Sequence, residues 1–511
     1  MLVRRLTGAL AGLLAAAVAV GIGELVAGIV GPASSPVVAV GNAAISLTPE
    51  PVKDAAIATF GQHDKVALVA GTLVVVAAYA VLVGLVGLRR PRLAVVGIAL
   101  FGLLGALAAL TRPAAGPLDV LPSLAATAAG VLALRALPPP LPPRADGAPA
   151  AGGTLDRRRF LVAGGVALGA AAVAGGGGRL LQRRFVVAAE RADLALPAPA
   201  SPAPPLPAGA DLSRQVRGLT PLFTPNRDFY RVDTAISVPQ VRPAGYRLTL
   251  GGMFDSPRAY TLRELYDRSD LVERDITITC VSNEVGGTLA GSARWLGVPL
   301  GALLRENGVR TESTQLVCRS ADGMTIGAPT RSALDVPDAM LALGMNGEPL
   351  PVAHGFPVRM IIPGLYGYVS ACKWLTRIDA STYDAFDAYW VERGWAAEGP
   401  IKVASRIDTP APLASFRAGP RPIAGVAWAQ TRGIGRVEVR VDDGPWADAD
   451  LAPSAGADLW RPWVLRHDFR SGRHTLTVRA TTVDGETQPG ARTDPFPSGA
   501  TGWHTVQVDV T

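Results

Sequence analysis

The sequence predicts an α-helical membrane region of about five transmembrane helices, then an α+β domain, then an all-β immunoglobulin-like sandwich. Three observations carry that expectation. Long apolar runs crowd the first 182 residues. From 212 to 409 short alternating segments are interleaved with helical ones. After Pro410–Pro412 only alternating runs separated by turn residues remain.

Composition agrees. Hydrophobic residues make up 49% of the 511-residue chain, high for a wholly soluble protein. The formal charge of +7 comes from arginine, since only Lys53, Lys65, Lys373 and Lys402 are lysines. No basic run is interleaved with aromatics, which argues against a nucleic-acid partner. The three cysteines, Cys280, Cys318 and Cys372, show no CxxC spacing, so neither a zinc site nor a disulfide framework is indicated. Of five histidines only His63 lies near the apolar half, so a haem held between two transmembrane histidines cannot be built from this chain.

In chain order, the expected spans are Leu6–Val30, Val66–Leu88, Leu93–Leu110, Val120–Leu137 and Phe160–Leu181, each near the length that crosses about 30 Å of hydrocarbon. Arginines at 4–5, 89, 90, 92, 135, 144 and 157–159 fall on one side of such a bundle, which puts the N-terminus in the cytoplasm and everything after Leu181 outside. The run Arg157-Arg158-Arg159-Phe160-Leu161 resembles the twin-arginine export signal; an arginine cluster that merely fixes topology gives the same placement. Glu24, the one charge in the first span, is expected near the interface or facing other helices. Residues 183–211 read as a Pro/Ala-rich linker, a semi-rigid spacer, and Pro138–Pro149 as a second proline-rich piece.

Within 212–409, Tyr246–Leu250, Ile276–Thr279, Leu316–Cys318 and Val358–Ile362 read as strands, and Thr261–Tyr266 and Val298–Asn307 as short helices. Within 410–511, Ile423–Ala429, Val437–Val441, Thr475–Thr481 and His504–Val510 read as strands, with turns at Asp442-Asp443-Gly444 and Asp484-Gly485.

The stretch that carries chemistry is Asp275–Pro299. Its alternation stops at Cys280, where Ser282, Asn283, Gly286 and Gly287 signal a loop. A cysteine leaving a strand into such a loop can present a thiolate to a redox metal; a buried structural cysteine is the plain alternative.

This stretch resembles the metal-binding segment of the sulfite oxidase family of molybdopterin oxidoreductases. The resemblance runs from about Pro225 to the C-terminus, with further matches at Asn226–Arg231 (NRDFYR), His354–Pro363 (HGFPVRMIIP) and Lys373-Trp374. It implies a molybdenum-bearing molybdopterin held by Cys280 as the single protein ligand. Asn226, Tyr230, Arg231, His354, Arg359, Ser370 and Lys373 would contact the pterin and its phosphate. It also implies oxygen-atom transfer to or from a small sulfur-containing or related substrate, and a small C-terminal sandwich often used for homodimerisation. No CxxCH and no four-cysteine cluster is present, so electrons would pass to a separate carrier, a cytochrome or a quinone-linked protein.

The sequence departs from the family in two places. Lys373 follows Arg359 by fourteen residues, where many relatives have it one position earlier, so Gly364–Ala371 carries a one-residue insertion. Sulfite oxidases proper carry arginines soon after the metal cysteine, whereas Cys280 is followed by Val281-Ser282-Asn283-Glu284-Val285. A dianionic substrate needs such cations, so Arg294, Arg319 or Arg331 would have to supply them from elsewhere. Cys318 and Cys372 read as packing residues, and Ser320–Asp322 matches a cofactor-side loop only loosely. Two rival readings are a catalytically inactive membrane-tethered binding protein that keeps the fold, and a multi-span transporter with an external sensor domain.

Overall fold

A computed structural model of the chain describes residues 2–48, 52, 64–112, 115–137 and 152–511. It divides into two compact units, Met1–Val187 with Thr234–Gln240, and Ala188–Asp233 with Val241–Thr511. His63 and the proline-rich piece at 138–149 lie outside the described residues.

The first unit is helical: α1 (Leu2–Val30), α2 (Pro36–Leu47), α3 (Asp64–Gly87), α4 (Pro91–Leu110), α5 (Leu121–Ala136) and α6 (Gly152–Gln182). Five stretches are long and apolar enough to cross a membrane, by length and composition: Val3–Val30, Ala67–Gly87, Pro91–Leu110, Pro117–Ala136 and Arg158–Ala192. The short helix α2 was not legible as a separate element; Pro36 at its first turn and the Ser35 side chain, which accepts from the Val38 amide, start it. Helix α1 packs against α3, α5 and α6. Small residues let these backbones touch: a Cβ on Gly12 would lie 2.0 Å from the Ala80 carbonyl oxygen. Glu24 faces other helices, accepting from Gln182 Nε2 at 3.0 Å and from the Ser35 hydroxyl.

The second unit holds an antiparallel sheet, a mixed sheet in which β1 and β10 run parallel, and a β-sandwich. One sheet has the order β3-β4-β7-β8, with β9 also on β7; its strands are β3 (Val272–Thr279), β4 (Ala290–Pro299), β7 (Met340–Met345), β8 (Glu348–Pro349) and β9 (Arg359–Ile361). The other has the order β2-β1-β10-β5-β6, from β1 (Arg247–Gly252), β2 (Ala259–Thr261), β5 (Gln315–Ser320), β6 (Thr325–Pro329) and β10 (Leu375–Ser381). Leu248, Leu303, Leu316, Leu341, Met360 and Ile378 form one core beneath them. Helix α7 (Leu262–Tyr266) opens on a capping box, in which Thr261 and Glu264 satisfy each other's amides. The helix expected from Val298 starts later, as α8 (Leu300–Glu306), because Val298 and Pro299 are still paired with Leu341 and Met340 of β7. Tertiary pairing overrides local helical pattern there.

Residues 404–511 form a sandwich of two sheets. The first comprises β11 (Ala404–Thr409), β13 (Gly419–Trp428), β17 (Arg461–Phe469) and β16 (Asp450–Leu451), in that order. The second comprises β12 (Ser415–Phe416), β19 (His504–Val510), β18 (Gly472–Thr482), β14 (Ile434–Val441) and β15 (Ala447–Asp448). Ile423, Val437, Trp463, Leu476, Val478 and Val506 share the core between them.

Strand β3 lies at the edge of its sheet, and both ends of that edge are covered. Near its start, Ser201 bridges Val272, and the Glu273 amide donates to the Ser201 carbonyl at 2.9 Å. The Pro/Ala-rich segment, whose composition reads as a semi-rigid spacer, is anchored on this unit: Leu194 and Leu196 pack on the core, and Ser201 pairs with the start of β3. Near the other end the sandwich takes over. The Gln430 side chain donates to the Thr277 carbonyl at 2.7 Å, the Thr277 amide donates to the Asp458 carbonyl at 2.9 Å, and the Trp460 amide donates to the Thr277 hydroxyl at 2.8 Å.

Candidate active site

Cys280 follows the last residue of β3 and begins the loop 280–289, which returns the chain to β4. Its amide donates to the Leu289 carbonyl at 2.9 Å, and Asn283 Oδ1 accepts from the Leu289 amide at 2.8 Å, so the base of the loop is closed. The thiol is buried. Burial pushes its pKa up, while the Ser282 amide and hydroxyl and the Lys373 charge oppose that shift.

The second contributor is the turn ahead of β9. Gly355 takes a φ of +112°, and a Cβ there would lie 3.0 Å from the Arg359 Cβ and 3.2 Å from Lys373 Cα. Only glycine lets these two cation-bearing backbones approach so closely. Arg359 is 4% exposed; it donates to the His354 carbonyl at 3.1 Å, its guanidinium lies 5.3 Å from the Trp295 ring centroid, and its Nε has no partner. Burial lowers its pKa to about 10. Lys373 donates to Asp233 Oδ2 at 2.8 Å and to the Val232 carbonyl at 3.0 Å, and burial brings its ammonium down to about 8 despite that carboxylate.

His354 is buried, edge-on to Phe229, with Nε2 3.1 Å from the Asn226 carbonyl. Burial and the Arg359 charge lower its pKa to about 4, so it is neutral at pH 7. Tyr230 stacks on Phe229 and is raised far above the usual phenol range by burial and by its proximity to Cys280. Its hydroxyl, the Thr279 carbonyl and the Ala371 side chain all approach Gly367 at the start of the short helix α9 (Gly367–Ser370).

Tyr230, Cys280, His354, Arg359 and Lys373 are therefore neighbours. The other three candidates are placed differently. Asn226 orders the surroundings, its Nδ2 donating to the Met345 carbonyl at 3.2 Å and its Oδ1 accepting from Asn346 at 2.9 Å. Arg231 sits at the exposed rim on Asp233, 2.7 Å away. Ser370 is buried at the end of a helical turn, where its hydroxyl donates back to the Leu365 and Tyr366 carbonyls, each 3.0 Å away. Sequence reasoning missed Asp233, Gly355 and Tyr366. Asp233 follows Arg231 by two residues and Gly355 follows His354, so both lay inside or beside motifs already singled out.

The arginines that could have supplied cations beside Cys280 are engaged with carboxylates. Arg294 makes a fork to Asp275 at 2.8 and 2.9 Å, Arg319 reaches Asp379 at 3.4 Å, and Arg331 reaches Asp335 at 3.4 Å. All three cysteines are free and buried, with Cys318 Sγ 3.5 Å from Met360 Sδ in the core.

The family model described as "Oxidoreductase molybdopterin binding domain" matches residues 235–390. Mitochondrial sulfite oxidase of Mus musculus is 30% identical over 312 residues, covering 51% of this chain and 56% of that protein. Residues 235–390 thus match an oxidoreductase molybdopterin-binding domain, and half of the chain is similar to sulfite oxidases. Sulfite oxidase of Gallus gallus is 29% identical over 311 residues, 66% of its length, so the chain spans roughly half to two thirds of these two relatives. Among solved structures, the sulfane dehydrogenase SoxCD from Paracoccus pantotrophus shares the fold, with a TM-score of 0.50 over 56% of this chain and 81% of that one at 24% identity.

The residues present fit molybdopterin. A phosphate-bearing pterin needs buried cations and unspent donors. Arg359 and Lys373 are both buried, Lys373 shares the Asp233 carboxylate with Arg231, and Arg359 meets only main-chain carbonyls, with its Nε unpartnered. The domain thus has an anion-shaped deficit of charge beside a strand-end thiol.

Proposed function

We propose that this chain is a membrane-anchored molybdopterin oxidoreductase of sulfite oxidase type, with its catalytic domain outside the cytoplasm of a bacterial cell. In this reading residues 1–182 anchor, 212–409 bind the cofactor, and 410–511 form an immunoglobulin-like domain available for homodimerisation. The carrying observation is the buried, incompletely neutralised pair Arg359 and Lys373 next to Cys280.

Cys280 would be the protein ligand to the metal, Arg359 and Lys373 would meet the phosphate or pterin edge, and Tyr230 and His354 would line the site as neutral groups. When bound, the molybdenum cofactor supplies oxygen-atom exchange coupled to two-electron redox change. The protein's part begins with a proton: the Cys280 thiol must lose it to become a ligand, and the Ser282 donors and the Lys373 charge favour that loss. Electrons would leave or arrive through a separate carrier, a cytochrome or quinone-linked protein. The arginine pattern at 4–5, 89, 90, 92 and 157–159 supports the outside placement.

The test is metal and pterin analysis of protein purified from a host that makes the cofactor, followed by a screen of sulfite and organic sulfoxides. About one molybdenum per chain is expected. Metal-free protein without turnover would leave only a tethered binding protein.

A further inference from the structure

Resting only on the membrane-anchoring part of that reading, we infer that the arginine-rich end of the helical unit holds one anionic glycerophospholipid. Its phosphodiester lies between Arg92 and Arg135, and an acyl chain follows the wall formed by Ala11, Val95 and Leu134.

Four helix ends meet around one cavity of about 410 Å³, within the range of ligand sites. Glycine brings two of them together: α1 crosses the end of α3 so closely that a Cβ on Gly84 would lie 2.1 Å from the Gly8 carbonyl oxygen. The chain then turns within three residues, the Arg90 amide donating to the Val86 carbonyl at 2.8 Å, and Pro91 opens α4 with Arg92 in its first turn. The last turn of α5 supplies Arg135. The cavity wall thus draws on α1, α3, α4 and α5, and it carries two guanidiniums and no carboxylate.

Positive charge at a helix end serves topology without any ligand. What distinguishes this end is what its arginines lack. Arg4, close by, uses its guanidinium on the Leu88 carbonyl at 3.1 Å. Among the described residues nothing gives Arg92 or Arg135 a hydrogen bond or a carboxylate, although both line one concave space. Guanidinium forks match phosphodiester oxygens, and basic pockets between membrane helices take acidic headgroups. The Thr7 hydroxyl, also on the wall, donates back to the Val3 and Arg4 carbonyls at 3.1 and 3.0 Å. Its oxygen keeps a lone pair for a headgroup hydroxyl, such as that of glycerol. The apolar wall favours a lipid over a soluble anion. Val95 and Leu134 lie within one turn of the two arginines and Ala11 one turn beyond Thr7, so an attached acyl chain covers surface that free phosphate would leave bare.

The test uses full-length protein, delipidated in a neutral detergent and titrated with phosphatidylglycerol, phosphatidylcholine or inorganic phosphate, bound lipid being counted by native mass spectrometry. One phosphatidylglycerol per chain is expected, held roughly tenfold tighter than phosphatidylcholine, with no displacement by phosphate at equal concentration. Arg92→Gln and Arg135→Gln should each weaken it roughly fivefold. Arg89→Gln, three residues earlier and off the cavity wall, should leave it unchanged. All three side chains are exposed, so the variants keep the fold. Equal binding of the two lipids, displacement by phosphate, unchanged binding in the Arg92 and Arg135 variants, or equal losses from Arg89→Gln and Arg92→Gln overturns the inference. Protein that stays in solution without detergent sinks the anchoring reading as well, whereas detergent-requiring protein without lipid preference sinks only this inference.

Discussion

The Arg359 guanidinium donates to the main-chain carbonyl of His354, 3.1 Å away, across the left-handed turn at Gly355. The bond turns the cation inward, and its Nε is left without an acceptor. An arginine held this way destabilises the empty fold and awaits an anion.

That cost is measurable. Arg359→Met in cofactor-free protein should raise stability by about 1–3 kcal/mol, because a buried cation is replaced by a packed apolar chain. The same substitution should abolish pterin retention. Denaturant melts of the empty protein, paired with pterin analysis, check both; a destabilised variant would mean that Arg359 is already satisfied.

Cys280→Ala should remove turnover and the metal from the purified protein, since no other thiol faces the site: Cys318 and Cys372 are core residues. Full molybdenum content with normal activity in this variant would exclude Cys280 as the ligand. In cofactor-free protein, the raised thiol pKa predicts alkylation slower than that of a free cysteine at pH 7 and faster as pH rises.

Lys373 gives a pH signature. Its ammonium titrates near 8 when folded against 10.5 when unfolded. Between those values the unfolded chain binds more protons, so empty protein should gain stability as pH rises from about 8 to about 10.5, by an amount on the order of 3 kcal/mol. Lys373→Met should flatten the profile in that window. Thermal unfolding of both forms across the range decides it.

Gln430 lies in the sandwich, yet its amide holds the Thr277 carbonyl three residues before Cys280. Gln430→Leu should strand that carbonyl, costing about 1–3 kcal/mol, and lower molybdenum occupancy although no cofactor contact is touched. Occupancy equal to the native protein would show that β3 is held by its own sheet alone.

The fold was legible where pattern and environment agree. The apolar runs, the strand ending at Thr279 and the last strand, His504–Val510, follow directly from local periodicity. Arg359, Lys373 and His354 could be singled out only through the family-like motif, because nothing in the residues themselves says that Gly355 brings them together. What stayed hidden depends on distant partners: the Pro/Ala-rich segment lies along β3 because Val272 and Glu273 offer an open edge. That the Ser370 hydroxyl turns back to the carbonyls of its own helical turn was likewise not legible, since it depends on the local backbone conformation.

The covered edge of β3 sets a limit on dissecting this protein. Cutting at residue 410 to obtain a minimal enzyme would strip away Gln430, Asp458 and Trp460 and bare unpaired main-chain groups immediately before the thiol. Such a fragment should self-associate through that strand and load metal poorly. The sandwich thus acts as a splint for the cysteine, and lesions far from the pterin would present as cofactor deficiency.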